Sequence, residues 1–134
     1  MIVVDTNILA YLFIEGNQTA VCRDVFRKDP VWQVPFLWRS ELRSVLTKYI
    51  RHAGLALEDA QNTMIEAEKL LAGHEYFVDS GTILSLTSAN DVSAYDAEYI
   101  CLAEKLSIKL VTTDKPLITK FPDTAVSPED FVGK

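Results

Sequence analysis

IVVDTNILAYLFI, residues 2–14, decides the fold. Three apolar residues run into a lone carboxylate, Asp5, and a second apolar run then follows it. Ile2–Val4 reads as a short buried strand. Asn7 to Ile14 is apolar throughout after Asn7 itself, so periodicity alone does not assign it. Its Leu and Ala content, with Gly16 as a stop, makes it a helix. A strand apolar on both faces belongs in a parallel sheet covered by helices. Asp5 then stands at the carboxyl end of that strand, where open parallel sheets bind their ligands.

The remainder of the chain extends the pattern. Gln18 to Lys28 is expected as a helix, and Val31–Val34 as a strand ended by Pro35. Leu37 to Ala53 is a clearer helix. Leu42, Val45, Leu46, Tyr49 and Ala53 recur at three- and four-residue steps, and Gly54 closes it. Leu57 to Leu71 is another helix, followed by a short strand at Tyr76–Val78 and a short helix at Thr82 to Ser88. Ser93 opens the next helix in the form of a capping box with Asp96. Ile108–Thr112 is a buried strand, Pro116 to Phe121 a short helix, and Ala125–Val126 a last edge strand. Strands alternating with helices predict an α/β three-layer sandwich, with a mainly parallel sheet of four to five strands at its centre. No repeat or linker divides the chain, so one domain over residues 1–134 is expected.

Bulk properties exclude several classes. The longest apolar run near the N-terminus, Ile8 to Ile14, has 7 residues, against the ~20 a spanning helix needs. No basic lead-in or small-residue cleavage site marks a signal peptide. Cys22 and Cys101 form no CxxC motif. Two reduced, buried cysteines in a cytoplasmic protein are therefore expected. The net charge of −6 argues against a broad basic surface for nucleic acid. It leaves room for an acidic pocket filled by a metal ion. His52 and His74, the two histidines, have no nucleophile motif beside them, and neither a dinucleotide fingerprint nor a phosphate loop is present.

Four acids stand at strand ends or early helix turns: Asp5, Glu41, Asp96 and Asp114. Each has a simpler reading alone. Asp5 and Asp114 are placed to cap helices, Glu41 falls at the edge of a buried helix face, and Asp96 suits a capping box. Together they occupy positions from which carboxylates meet at one sheet edge. Converging carboxylates repel one another and need a cation to stay ionised. Mg²⁺ and Mn²⁺ take oxygen ligands of this kind.

At these four places the chain resembles the PIN-domain ribonucleases, above all the small single-domain toxins of the virulence-associated protein C type. The matching stretches are IVVDTNILAYLF, Pro35 through SEL, SAYDAEYICLAE and KLVTTDKPL, in order, and the match runs from Ile2 to about Phe131. The resemblance implies a Mg²⁺- or Mn²⁺-dependent endoribonuclease. Asp5, Glu41, Asp96 and Asp114 would be the catalytic acids and metal ligands, with Asn7 and Thr113 as supporting polar neighbours. It also implies a small antitoxin as partner and a homodimer. One departure concerns the metals. Many toxin-branch members carry a polar or acidic residue about three positions after the fourth acid, where this chain has Pro116 and Leu117. One-metal chemistry therefore stays open.

For an RNA substrate, Lys48 and His52 share a helix face with Glu41, and Arg51 is adjacent. Arg39 and Arg43 lie on another side and are free to pair with acids. Trp32, Phe36, Leu37 and Trp38 crowd one stretch, as a partner patch or as core. Two rival functions remain. One is a PIN-like module that binds RNA or protein without cutting. The other is a phosphatase of the haloacid-dehalogenase type, which requires an acid where this chain has Asn7.

Overall fold

A computed structural model describes residues 1–133. Its sheet is built from β1 (Ile2–Val4), β2 (Trp32–Pro35), β3 (Glu75–Tyr76), β4 (Leu110–Val111) and β5 (Ala125–Val126). All adjacent pairs are parallel, in the order β3-β2-β1-β4-β5. The first strand is thus the centre, with Val3 opposite both Gln33 and Leu110.

Side-chain alternation along β1 separates the two cores. Ile2 and Val4 enter one apolar cluster, with Ile8, Leu9, Trp38, Leu42 and Ala67. Val3 enters the other, with Tyr99, Ile100, Leu102 and Leu110. The first cluster is covered by α1 (Thr6–Phe13), α2 (Thr19–Lys28), α3 (Trp38–His52) and α4 (Leu57–Leu71). The second is covered by α5 (Ser80–Ala89), α6 (Ala94–Leu106) and α7 (Lys115–Lys120). The three-layer α/β/α architecture follows from a strand that must bury both of its faces. Among the described residues no helix is long and apolar enough to cross a membrane. Cys22 and Cys101 are both buried and free.

Several boundaries differ from the sequence expectation. Pairing with β2 begins earlier than Tyr76, because Val34 N–H already bonds His74 C=O and Phe36 N–H bonds Tyr76 C=O. Phe77, expected inside that strand, is 83% exposed. Pro35 belongs to β2 itself, beyond the last residue paired with β1, where its missing N–H costs no ladder bond. A final helix, α8 (Pro128–Val132), was not anticipated; Ser127 caps it and its Phe131 and Val132 pack on the first cluster. Trp32 and Trp38 are core, each at most 1% exposed. Truncating either to Ala is worth about 3–5 kcal/mol. Of that aromatic stretch, Phe36 alone remains exposed, stacked on Phe77 with ring centroids 4.4 Å apart.

Candidate active site

β1 and β4 are hydrogen-bonded neighbours, so the residues just past their ends meet at one edge. Asp5 follows β1 and is the N-cap of α1, its Oδ1 accepting from Ile8 N–H at 3.2 Å. Asp114 follows β4 and is the N-cap of α7, its Oδ1 accepting from Leu117 N–H at 3.0 Å. Glu41 comes from the first turn of α3, and Asp96 from the first turn of α6. Capping and site placement therefore coincide. At α1 and α7 the bond that caps the helix also fixes one carboxylate oxygen in direction.

These four acids line a single cleft of about 240 Å³, together with Thr6, Asn7, Ser44, Val45, Lys48, Tyr99 and Leu117. A second groove adjoins it and shares Asp96, Asp114 and Leu117. Of the residues singled out from sequence, Asn7 and Lys48 are in the lining. Arg51 and His52 are exposed and lie further along α3, outside it. Thr113 is half-buried and is not in the lining either; its neighbour Thr112 makes the contacts. The Thr112 hydroxyl donates to Asp5 Oδ2 and accepts from Asp114 N–H at 3.0 Å, tying the two strand-end acids together.

Three hydroxyl-bearing residues escaped the sequence reading. Thr112 is one. The others are Thr6 and Tyr99, whose hydroxyls both reach Glu41 Oε1, at 3.0 and 2.6 Å. Tyr99 lies three positions after Asp96, hence on the same face of α6. That spacing was a signal, but the apolar stripe of the helix concealed it.

Electrostatics mark the cleft as strained in its charge. Burial, with the Glu41 charge adding to it, pushes the Asp5 carboxyl up to about 6, against the pull of Thr112 and the Ile8 and Asn7 N–H groups. Asp96 is also raised, by burial and by Asp114, while Ser93 and Lys120 pull it down. Glu98, on the same helix, is raised by burial and by Glu41. Arg39, by contrast, is engaged elsewhere. It bonds Glu75 through Nε and Nη2 and also pairs with Glu68, holding Glu75 below its usual range.

Among the described residues, no three acidic, histidine or cysteine side chains converge closely enough to hold an ion as they stand. The donor set nevertheless fits a hard divalent cation. The acids and hydroxyls of the lining offer oxygen, and the burial that raises Asp5 would be relieved by a cation beside it.

The chain is 30% identical over 125 residues to Ribonuclease VapC3 of Pyrobaculum aerophilum, covering 90% of this chain and 95% of that one. A crystal structure from Pyrobaculum aerophilum superposes with a TM-score of 0.72 at 22% identity, covering 98% of this chain and 93% of that one. A structure from Klebsiella pneumoniae, described as a toxin–antitoxin complex, superposes at 0.70 with 16% identity, covering 96% of this chain and 98% of that one. The PIN domain pattern matches residues 2–120, nearly the whole cleft-bearing sequence, and the chain belongs to the PIN-domain family.

Proposed function

We propose that this protein is a metal-dependent endoribonuclease, the toxin of a toxin–antitoxin pair, acting in the cytoplasm as one domain over residues 1–134. The observation that carries the reading is the meeting of Asp5, Glu41, Asp96 and Asp114 in one cleft at the carboxyl edge of a parallel sheet. Family membership and the VapC3 relative support the same chemistry.

Asp5, Glu41, Asp96 and Asp114 would hold Mg²⁺ or Mn²⁺, which supplies an activated water and charge stabilisation at the phosphodiester. The chain's own groups do the rest. Thr112 orients Asp5, and the N-terminus of α7 orients Asp114. Lys48 supplies the positive charge of the cleft for an RNA phosphate, in a protein whose net charge repels the polymer. Asn7 offers an amide donor and acceptor to water or substrate. Arg51 and His52 lie where a longer RNA would pass along α3.

Partners follow from the surface. Phe36, Phe77, Leu84 and Tyr95 leave apolar area in solvent, with Leu84 at 64% and Tyr95 at 63%. Such area fits an antitoxin or a second copy in a homodimer.

The test is cleavage of total RNA by purified protein with Mg²⁺, with Mn²⁺ and with EDTA, beside Asp5→Asn and Asp96→Asn. Discrete fragments that require metal and vanish in both variants are expected. Metal-independent fragments would remove the metal dependence, and no fragments from a folded and antitoxin-free protein would remove the nuclease reading.

A further inference from the structure

Tyr99 is 3% exposed, packs in the second apolar cluster, and yet brings its hydroxyl into the cleft. Thr6 Oγ1, Tyr99 Oη and Glu41 Oε1 form a triangle of short contacts: 2.8 Å between the two hydroxyls, then 2.6 Å and 3.0 Å to the carboxylate. Two hydroxyl protons serve those three contacts. The Tyr99 proton goes to Glu41 along the shortest side. The Thr6 proton has two acceptors within reach, the Tyr99 oxygen and Glu41 itself. The bond network therefore saturates Oε1, while Oε2 has no hydrogen-bond partner among the described residues.

A glutamate on a helix edge ordinarily samples several rotamers. Here two hydroxyls from α1 and α6 hold one oxygen, so the other is fixed in place before any ligand arrives. We propose that Tyr99, backed by Thr6, is a positioning residue that clamps Glu41 Oε1 and presents Oε2 to a divalent cation. The proposal rests on the metal-dependent reading above and deepens it. It makes α6 a two-part element, carrying Asp96 on the first turn and the clamp for Glu41 one turn later. A phenol buried only for packing would satisfy its hydroxyl wherever it could and would leave the cleft indifferent to its loss.

Tyr99→Phe keeps the ring and removes the clamp. The probe is Mn²⁺ alone, its binding to the wild type, Tyr99→Phe, Thr6→Val, Thr6→Ser and the Tyr99→Phe/Thr6→Val double variant followed by titration calorimetry below each protein's melting temperature. Positioning partners of metal ligands are typically worth ~10–100-fold in affinity. Tyr99→Phe is expected to weaken Mn²⁺ about tenfold. Thr6→Val should weaken it less, and the double variant by more than the product of the two, since each hydroxyl partly substitutes for the other. Thr6→Ser, which keeps the hydroxyl, should bind as wild type. Wild-type affinity in a folded Tyr99→Phe/Thr6→Val protein would overturn the clamp while leaving the nuclease reading intact. A wild type that neither binds Mn²⁺ nor cleaves RNA would remove both.

Discussion

On one side of the cleft, carboxylates are held by hydroxyls from distant parts of the chain. Thr112 reaches Asp5 across 107 residues, and Tyr99 and Thr6 reach Glu41 across 58 and 35. On the other side the bonds are local. Ser93 Oγ accepts the Asp96 N–H and Asp114 Oδ1 accepts the Leu117 N–H, each spanning 3 residues. The local half needs only a helix start. The distant half exists only when β1 and β4 are paired and α3 and α6 are docked. The distant half also carries the heavier desolvation, with Asp5 as its centre. Precision and electrostatic strain in the site are thus products of tertiary closure.

The largest effect should come from Asp5→Asn. The folded carboxyl titrates near 6, above its usual 3.8, so the folded state holds the proton more tightly than the unfolded one. Stability from this group is complete below about pH 4 and is lost as pH rises through about 6. Asp5→Asn removes that loss. Without metal at neutral pH the variant should melt roughly 5 °C above wild type. The gap should close as pH falls to about 4. Cleavage should drop more than ~100-fold, beyond the loss typical of outer partners. Parallel melts across pH in EDTA check the first part. A variant less stable than wild type at neutral pH would break the claim that this half is strained.

Thr112→Val should come next. It strips Asp5 of a donor and leaves the Asp114 N–H without its acceptor. An unsatisfied buried group costs about 1–3 kcal/mol. The lost donor also leaves Asp5 higher still, because that bond pulls it down. Cleavage should fall about tenfold, with the midpoint of its pH profile shifted upward, and Thr112→Ser should restore both. Melting curves and pH–rate profiles of the three proteins test this.

The same division governs what could be read from the sequence. Elements bounded by caps were legible: Asp5, Ser93 and Asp114 stand in local patterns that name their helices. The buried strands were legible because β1 and β4 are apolar on both faces. The acids were legible as a group because each follows a strand or opens a helix. Thr6, Tyr99 and Thr112 were not, because a hydroxyl in an apolar run carries no local sign of the carboxylate it will meet. Thr113 is the polar neighbour that the resemblance implies, and the structure gives the contact with Asp5 to Thr112 instead. Two adjacent threonines alternate in direction along an extended chain, and only the pairing of β4 with β1 decides which one faces Asp5. Helix spacing sets Lys48 and His52 on the face of Glu41, with Arg51 adjacent, yet His52 stands about 16 Å along the axis from Glu41. Spacing names a face and says nothing of where along it the cleft ends.

The smallest effect should be Ser93→Ala, and it sharpens the comparison from the local side. Ser93 caps α6 through one bond to the Asp96 N–H, and such a cap is worth about 1 kcal/mol. Its hydroxyl also pulls Asp96 down, against burial and the Asp114 charge. Asp96 would therefore rise in Ser93→Ala, and the protein should melt a few degrees lower. α6 stays docked through Ile100, Leu102 and Ala103, all fully buried, so Asp96 keeps its place. Cleavage at neutral pH should change by less than about threefold, with the loss growing as pH falls, because the missing hydroxyl lets Asp96 take up a proton more readily. Thr112→Val, at a similar cost in stability, should already lose about tenfold at neutral pH. If the two variants lose activity equally at equal destabilisation, the site responds only to global stability and the distinction between its halves disappears.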